Sequence, residues 1–317
     1  MVKNREFIDT LNDLGQKREP FFFAINFATD EYILDTKDVL FKLEGKKNYT
    51  KKEAQNSLHV RKIYTPQNEY QSSFEKVIAN IKEGNTYLLN LTCKTQLSEN
   101  VDLEEIFHAA NAPFKLYVKD KFVCFSPERF VKIKDDKIKT YPMKGTIDAS
   151  ITNAKEKILS NEKEMSEHVM IVDLLRNDLG IVAKNIKVTK FRYIQEINAG
   201  DKNLLQVSSE IVGDLKHSWQ DEVGTILSHL LPAGSISGTP KKKTVELIEQ
   251  IEGYDRGYFS GVFGYFDGES LDSAVMIRFI EKTKDGYVYK SGGGITIDSD
   301  IEAEYQEMQD KVYVPML

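Results

Sequence analysis

Two pairs of glutamates, each spaced three residues apart, have the clearest spacing for chemistry in this sequence. Glu164 and Glu167 belong to a predicted helix over residues 162–175, and Glu304 and Glu307 belong to the predicted last helix. Side chains at i and i+3 share a helix face, so each pair can point at one place. Convergent carboxylates repel unless a cation lies between them, and hard oxygen ligands suit Mg²⁺. Either pair alone is also typical of a solvent-exposed acidic face.

Lys311 follows Glu307 by four residues and therefore shares its helix face. It fits either a surface ion pair with that glutamate or a cation that holds a substrate carboxylate. Before this helix, the sequence predicts a loop made of three glycines, whose unobstructed backbone N–H groups can bind an anion: Gly292, Gly293 and Gly294. A second such segment, PAGSISGTP at 232–240, precedes a helix predicted to start at Pro240. Neither segment continues as a nucleotide-binding P-loop, so a carboxylate is at least as good a ligand as a phosphate.

Lys144 and Glu128 each follow a predicted strand, in YPMKGT and SPE respectively. A desolvated lysine can become neutral enough to act as a nucleophile, and a carboxyl in an apolar setting can act as a general acid. Both are also typical of ordinary surface residues. Further along, Arg176, Asn177 and Asp178 follow the first glutamate helix, and this charged run predicts a cluster of structural salt bridges.

Composition limits the function classes. The 317 residues include 41% hydrophobic residues, enough for a large core, and 43 basic against 49 acidic residues give a net charge of −6, which argues against nucleic-acid binding. Cys93 and Cys124 have neither disulfide-framework nor zinc-site spacing. The longest apolar run, about residues 21–28, is far shorter than the roughly 18 residues of a membrane span. We therefore predict a cytoplasmic globular protein that binds no nucleic acid and no membrane.

Hydrophobic periodicity predicts runs of strands between helices, so the fold class is α+β with mainly antiparallel sheets. Helices are predicted over residues 4–16, 69–82, 153–159, 162–175, 221–230, 240–251 and 301–314. Strands are predicted over residues 21–27, 32–34, 86–92, 114–118, 121–125, 130–133, 137–141, 186–197, 206–212, 258–266, 273–281 and 287–291.

Several long motifs in the same order make this sequence similar to the chorismate-utilising enzymes, and within that family to aminodeoxychorismate synthase component I. The motifs are YPMKGTI (141–147), EHVMIVDLLRNDLG (167–180), PAGSISGTPK (232–241), RGYFSGVFGYF (256–266), AVMIR (274–278) and SGGGITIDSDIEAEYQEMQDK (291–311). The resemblance extends from about residue 70 to residue 314.

The resemblance implies a fold like that of anthranilate synthase component I, with two facing, mainly antiparallel sheets, helices outside and the site between them. It implies a reduced N-terminal segment, 1–68, packed on a chorismate-binding catalytic domain, 69–317. Mg²⁺ would be bound by Glu167 and by Glu304 or Glu307, with Glu164 nearby, and Glu128 would protonate the departing C4 hydroxyl. The implied substrate-binding residues are Arg278 for the enolpyruvyl carboxylate, the backbone of Gly292, Gly293 and Gly294, and also Tyr265, Lys311 and Ser235.

Lys144 indicates the subclass within this family. Anthranilate synthases have alanine here, in PIAGT, whereas aminodeoxychorismate synthases have lysine, in PIKGT. The resemblance implies that this lysine adds at C2 of chorismate and that ammonia then attacks C4, which requires surroundings that deprotonate Lys144. The expected product is 4-amino-4-deoxychorismate, for p-aminobenzoate and folate synthesis.

One departure from the family pattern is Leu88, in GNTYLLNLT. Isochorismate and salicylate synthases have a water-activating lysine there, and other aminating enzymes usually have glutamine. Leucine cannot activate water, which argues against isochorismate formation. No glutaminase Cys–His–Glu triad is present in the sequence, so ammonia is expected from solution or from a separate glutamine amidotransferase subunit. Anthranilate synthase component I and a non-catalytic, chorismate-binding regulatory subunit stay open as alternatives.

Overall fold

A computed structural model describes residues 4–52, 61–97, 101–198 and 203–315. Across these residues the chain forms two antiparallel β-sheets with helices packed on them, so the predicted α+β class is confirmed. In this part of the chain no helix is both long and apolar enough to cross a membrane.

Strands are numbered along the chain. They are β1 Phe21–Ile25, β2 Tyr32–Ile33, β3 Val39–Leu43, β4 Lys46–Lys47, β5 Lys62–Ile63, β6 Leu88–Leu97, β7 Phe114–Val118, β8 Phe122–Ser126, β9 Arg129–Lys134, β10 Lys137–Thr140, β11 Met143–Asp148, β12 Lys184–Asn198, β13 Asn203–Asp214, β14 Gly238–Thr239, β15 Val262–Phe266, β16 Leu271–Val275, β17 Phe279–Thr283 and β18 Gly286–Ile295.

The first sheet has the strand order β11-β13-β10-β9-β16-β15-β1-β2, with β12 also paired to β13. The second has the order β14-β6-β18-β17-β8-β7-β3-β4, with β5 also paired to β6. Two strands from the segment before residue 69 lie inside these sheets: β1 pairs with β15, and β3 pairs with β7. The proposed division of the chain at residue 69 stays a prediction.

Helices cover the sheets. They are α1 Arg5–Gln16, α2 Gln67–Lys82, α3 Leu103–Ala109, α4 Ala154–Ser160, α5 Glu162–Val182, α6 Val223–Leu230, α7 Lys241–Glu252 and α8 Ile301–Asp310. The two glutamate helices begin at side-chain caps, because Asn161 accepts from the backbone N–H of Glu164 and Asp300 accepts from that of Ala303. Pro240 lies at the N-cap of α7, one residue before the position that the sequence predicts.

Aromatic side chains from both sheets form one buried cluster, which joins the two layers. Phe22 and Phe263 come from the first sheet, and Phe41 and Phe279 come from the second. The rings of Phe22 and Phe41 stack with centroids 5.0 Å apart. Such a layer of large apolar side chains holds the sheets against each other.

Two of the places where the chain crosses from one sheet to the other are neighbours. One passage, at Pro127 and Glu128, joins β8 to β9, and the other joins β16 to β17 and ends at Arg278. The passages are hydrogen-bonded to each other: the N–H of Phe125 donates to the carbonyl of Arg278, and the N–H of Val275 donates to that of Glu128. Two residues that the sequence analysis singled out therefore lie side by side between the sheets.

The connection between β16 and β17 shows that the single strand predicted over residues 273–281 is wrong. An apolar run looks continuous in the sequence, but Arg278 has φ +54°, in the left-handed region, and the run splits into β16 and β17 in different sheets. The short helix α3 and the strand β11, which carries Lys144, were not predicted either.

A fully buried ion pair connects α7 to the second sheet. Arg256 Nη2 lies 2.6 Å from Glu252 Oε1, and the two side chains are 1% and 0% exposed. The guanidinium also donates to the carbonyl oxygens of Ile236 and Asn90, while Glu252 Oε1 accepts from the backbone N–H of Thr92. Both charges are removed from water, so removing one of them leaves the other buried and uncompensated.

We expect Arg256→Met to lower the free energy of unfolding by about 3–5 kcal/mol, the usual cost of removing one partner of a buried ion pair. The matched control is Arg176→Met, because Arg176 pairs with Asp173 on the surface, where both side chains are more than half exposed. That control should change stability by about 1 kcal/mol or less. Urea unfolding of both variants measures this difference, and equal effects would contradict the role given to Arg256.

Candidate active site

Four elements, β11, β18, α5 and α8, bring predicted site residues together. Nζ of Lys144 donates to Oε2 of Glu167 at 3.3 Å. A Cβ placed on Gly294 of β18 would lie 3.4 Å from that same Nζ. One placed on the neighbouring Gly293 would lie 3.2 Å from Oε2 of Glu304. Both glutamate helices therefore face the same stretch of β18.

The glycine run lies inside β18 and not in the loop that the sequence predicts. It pairs with β6 in the register Gly292 to Thr92, Gly293 to Leu91 and Gly294 to Asn90. A Cβ on Gly292 would lie only 2.1 Å from the carbonyl oxygen of Leu91, so the close approach of the two strands requires glycine there. The bare strand also leaves room for the charged ends of side chains that reach it from α8 and β11.

An irregularity in β11 sets the position of Lys144. The register of β11 against β13 shifts between Met143 and Thr146, and Gly145 between them has φ +87°. Such a bulge re-aims the neighbouring side chains, and glycine adopts this φ without steric cost. A Cβ on Gly145 would lie 3.0 Å from Oε2 of Glu164, so a larger residue would press on that carboxylate.

Negative charge surrounds Lys144, whose side chain is 24% exposed. Burial lowers the pKa of this lysine, but Glu167, Glu307 and Glu164 outweigh burial and raise the pKa above its ordinary value. The expectation that its surroundings deprotonate Lys144 is therefore wrong while these carboxylates are ionised around it. They stabilise the ammonium form.

The glutamates also affect one another. Burial and then Glu167 raise the pKa of Glu164, and burial and then Glu307 raise that of Glu304. Carboxylates crowded in this way are the oxygen donors that a hard divalent cation prefers. As they stand, no three carboxylate, imidazole or thiol groups of the described residues lie close enough to hold a metal ion. The donor type fits Mg²⁺, and binding would require rotation of these side chains.

Lys311 makes the ion pair with Glu307 that its spacing predicts, and it also lies over the glycine strand. Its Nζ donates to Oε1 of Glu307 and, at 2.9 Å, to the carbonyl oxygen of Gly292. Burial lowers the pKa of Lys311, Glu307 opposes this, and the neighbouring Arg278 adds to it. Both interpretations of Lys311 are therefore compatible with its position.

Glu128 and Ser235, which are far apart in the sequence, form a direct hydrogen bond. The hydroxyl of Ser235 donates to Oε1 of Glu128. Burial raises the pKa of Glu128, and the Ser235 hydrogen bond, Lys144, Arg278 and Lys311 offset only part of this effect. A carboxyl whose pKa stays raised in the presence of three cations is suited to act as a general acid.

Arg278 presents an unpaired group to this site. Its backbone has φ +54°, and its guanidinium lies 5.3 Å from the ring centre of Tyr313. Its Nε is buried and has no hydrogen-bond partner among the residues that the structure describes. Strained backbone and unsatisfied buried donors are concentrated at functional sites. Arg278 also lies close enough to Glu128 and Lys311 for its charge to act on both, and a buried guanidinium of this kind is suited to bind a carboxylate.

Leu88 of β6 and Lys144 both approach Gly294 of β18. The two methyl carbons of Leu88 are 3.8 and 3.9 Å from the Cβ position of Gly294, the same point that lies 3.4 Å from Nζ of Lys144. The leucine is 2% exposed. The glycine strand therefore has an apolar side chain near the point that Lys144 reaches.

Tyr265 is not brought into this cluster by its described contacts. Its ring stacks on Phe41 at 5.7 Å, and Nζ of Lys46 lies 4.5 Å above it. These partners lie on β3 and β4, at the far edge of the second sheet from β6.

One residue near the site was missed by sequence reasoning. His168, next to Glu167, is fully buried, and its Nε2 lies 2.7 Å from Oγ of Ser209. The N–H of Ser209 donates to the carbonyl of Pro142, two residues before Lys144. His168 therefore supports the start of β11, and burial lowers its pKa to about 4, so it is neutral. Its only sequence signal is a histidine beside apolar residues, which is also common in ordinary cores.

Comparison with known proteins gives one family. The model of the family described as chorismate binding enzyme matches residues 12–317. The chain is 48% identical over 318 residues to an uncharacterized PabA-like protein of Haemophilus influenzae, which covers 98% of this chain and 97% of that protein. It is 32% identical over 260 residues to aminodeoxychorismate synthase component 1 of Salmonella typhimurium, which covers 77% of this chain and 56% of that protein.

Among solved structures, the chain is similar to anthranilate synthase component I from Streptococcus pneumoniae. The TM-score is 0.68 at 24% identity, over 82% of this chain and 60% of that one. At this identity the likeness shows the fold alone, and it confirms the predicted fold type. The chain spans between half and two thirds of the length of these two synthases.

We expect Glu128→Gln to stabilise the protein, and to do so more at about pH 8 than at about pH 5. Burial raises the folded-state pKa of Glu128 above its unfolded value. At low pH the carboxyl of Glu128 is protonated, and the folded protein has its full stability. As pH rises through the folded-state pKa, the carboxyl ionises, and the folded protein loses stability because the ionised form is removed from water. Thermal unfolding at both pH values measures this, with Glu249→Gln on the exposed face of α7 as the control. A difference between wild type and Glu128→Gln that is equal at both pH values would contradict the assignment.

Proposed function

This chain belongs to the family of chorismate binding enzymes, and from that premise we propose that it aminates chorismate to 4-amino-4-deoxychorismate, the precursor of p-aminobenzoate and folate. Ammonia comes from a separate glutamine amidotransferase subunit. The observation that carries the proposal is Lys144, which lies against Glu167 and the glycine strand at the position where anthranilate synthases have alanine.

In the proposed reaction, Lys144 and Glu128 perform two linked steps. The amine of Lys144 forms a bond to C2 as the C4–O bond breaks, and Glu128 gives its proton to the departing hydroxyl, which leaves as water. Ammonia then forms a bond to C4 as the bond between C2 and the lysine breaks, and a proton from the ammonia returns to Glu128. The raised pKa of Glu128 supports the first proton transfer, because burial favours the protonated form of this carboxyl.

We propose that Mg²⁺ is the cofactor and that Glu167, Glu304 and Glu307, with Glu164 nearby, hold it. When bound, Mg²⁺ supplies charge that attracts the ring carboxylate of chorismate and offsets the negative charge around Lys144. The crowding of these carboxylates on two helices supports this assignment.

Arg278 and Lys311 are the proposed anchors for the second carboxylate of chorismate, on the enolpyruvyl group. The unpaired, buried Nε of Arg278 supports this role, since a carboxylate would satisfy that donor. Lys311 lies over the same glycine strand through its bond to Gly292. Ser235 is connected to this site by its hydrogen bond to Glu128. The described contacts of Tyr265 lie elsewhere.

Leu88 supports amination over hydroxylation. A water molecule that attacks a ring carbon needs a base within hydrogen-bonding reach, and the leucine side chain near the point that Lys144 reaches offers none.

Incubating the purified chain with chorismate, Mg²⁺ and ammonium, followed by an added aminodeoxychorismate lyase, tests the proposal. We expect p-aminobenzoate. Anthranilate would instead identify an anthranilate synthase, and unchanged chorismate would favour the non-catalytic, chorismate-binding subunit. In the same assay, glutamine should not replace ammonium, because the sequence contains no glutaminase Cys–His–Glu triad.

Glu167→Ala should abolish turnover even at saturating Mg²⁺. Near-normal activity of this variant would refute the metal assignment.

We expect Lys144→Ala to lower the rate of amination by orders of magnitude while chorismate still binds, because the covalent route is lost and the carboxylate anchors remain. The change also converts PMKGT to PMAGT, which is similar to the anthranilate synthase pattern, so products are to be separated by chromatography. Lys155→Ala, an exposed lysine of α4, is the control. Unchanged rate and product in Lys144→Ala would show that this lysine takes no part in the chemistry.

A further inference from the structure

Asp178, from the charged run after the glutamates of α5, is buried in an ion pair outside the proposed reaction. Its Oδ2 lies 2.9 Å from Nζ of Lys241, and the two side chains are 12% and 19% exposed. The sequence predicts a structural salt bridge here, and the structure contains one. The location of this ion pair, beside the segment that carries Ser235, indicates a more specific role.

The pair holds both ends of the segment that carries Ser235. Lys241, just after this segment, also donates to the carbonyl oxygen of Leu230, just before it, at 2.8 Å. Asp178 reaches the middle of the segment, because a Cβ on Gly234 would lie 2.7 Å from its Oδ2. One ion pair therefore fixes the start, the middle and the end of this turn.

The residue after Gly234 is Ser235, which hydrogen-bonds Glu128. A small cavity adjoins all three groups, since Asp178, Ser235 and Glu128 line it together with apolar residues of α5 and β9. A hydroxyl hydrogen bond is sensitive to small displacements of its donor, because it weakens steeply with distance and angle. A shift of the turn by a fraction of an ångström would therefore change how Ser235 meets Glu128.

We propose that Asp178, through Lys241 and its contact with Gly234, is a positioning residue that holds Ser235 in hydrogen-bonding geometry with Glu128. For its catalytic consequence this inference rests on the proposed function, in which Glu128 is the general acid. The positioning itself does not depend on any reaction, and it can be measured without one.

The test is a cycle of thermal unfolding at about pH 5 and about pH 8 with Glu128→Gln, Asp178→Asn and the double variant. Ser235 stabilises the ionised Glu128, as do Lys144, Arg278 and Lys311, which these changes leave in place. If Asp178→Asn releases Ser235, ionised Glu128 becomes less stable. The gain in Tm from Glu128→Gln at the higher pH should then be larger in the Asp178→Asn background than in the wild type.

Two further variants keep the test independent of any single substitution. Gly234→Ala should act like Asp178→Asn, because its methyl group would push the turn away from Asp178. Lys241→Arg keeps the charge and should leave the gain near its wild-type size. Asp173→Asn, an exposed position on the same helix, is the matched control.

An equal gain in Tm in the wild-type, Asp178→Asn and Gly234→Ala backgrounds would overturn the inference, whatever the absolute Tm values. If the chain proves to aminate chorismate, Asp178→Asn should also lower kcat with little change in KM, by less than the roughly 10²- to 10⁴-fold that general acid catalysis contributes. This effect should be absent in a Ser235→Ala background, and equal losses in both backgrounds would contradict the positioning role. Failure of amination in the wild type would refute the proposed function and leave the unfolding cycle as the deciding result.

Discussion

The buried ion pair between Glu252 and Arg256 is the interaction on which the arrangement of this site most depends. Its guanidinium donates to the carbonyl of Ile236, in the turn that carries the hydrogen-bond partner of the predicted general acid, and to that of Asn90, opposite the glycine run of β18. One side chain therefore sets the distance between the turn and the strand. Because both charges are removed from water, each of these hydrogen bonds must be made, and the segments have little freedom to move apart.

The passage of the chain between the two sheets explains why unusual chemistry is concentrated there. Glu128 and Arg278 lie on two neighbouring connections, each hydrogen-bonded to the other and not to a regular ladder. Both sheets enclose these connections, so charged side chains on them are removed from water. Within the described part of the chain, they do not gain the ion-pair partners that charged side chains commonly have on a protein surface. The raised pKa of Glu128 and the unpaired Nε of Arg278 are the two results. Two sheets packed face to face without connections between them would contain no enclosed site of this kind for charged side chains.

Helical periodicity was sufficient to predict the helices that carry the glutamates, and their i, i+3 spacing predicted that each pair points one way. Other features depend on contacts that a sequence pattern does not contain. Three glycines predict a loop, and only the approach of Leu91 on the neighbouring strand shows why they lie in β18. The aim of Lys144 depends on a bulge at Gly145. Side chains alternate between the two faces of a strand, but the strand pattern around Tyr265 does not say what each face contacts. Only the packing of the two sheets places its ring on Phe41.

Charge balance connects the site to the proposed ligands. Four glutamates from α5 and α8 are opposed by four cations: Lys144 and Lys163 lie against Glu167, Lys311 lies against Glu307, and Arg278 neighbours Lys311. Chorismate carries two carboxylates, so chorismate and Mg²⁺ together bring no net charge. Joint binding of these two proposed ligands would therefore leave the net charge of the cluster unchanged, with the glutamates available to hold the cation and Arg278 and Lys311 available to the substrate carboxylates. An uncompensated charge would raise the cost of closing such a desolvated site, and this argues that neither ligand binds well alone.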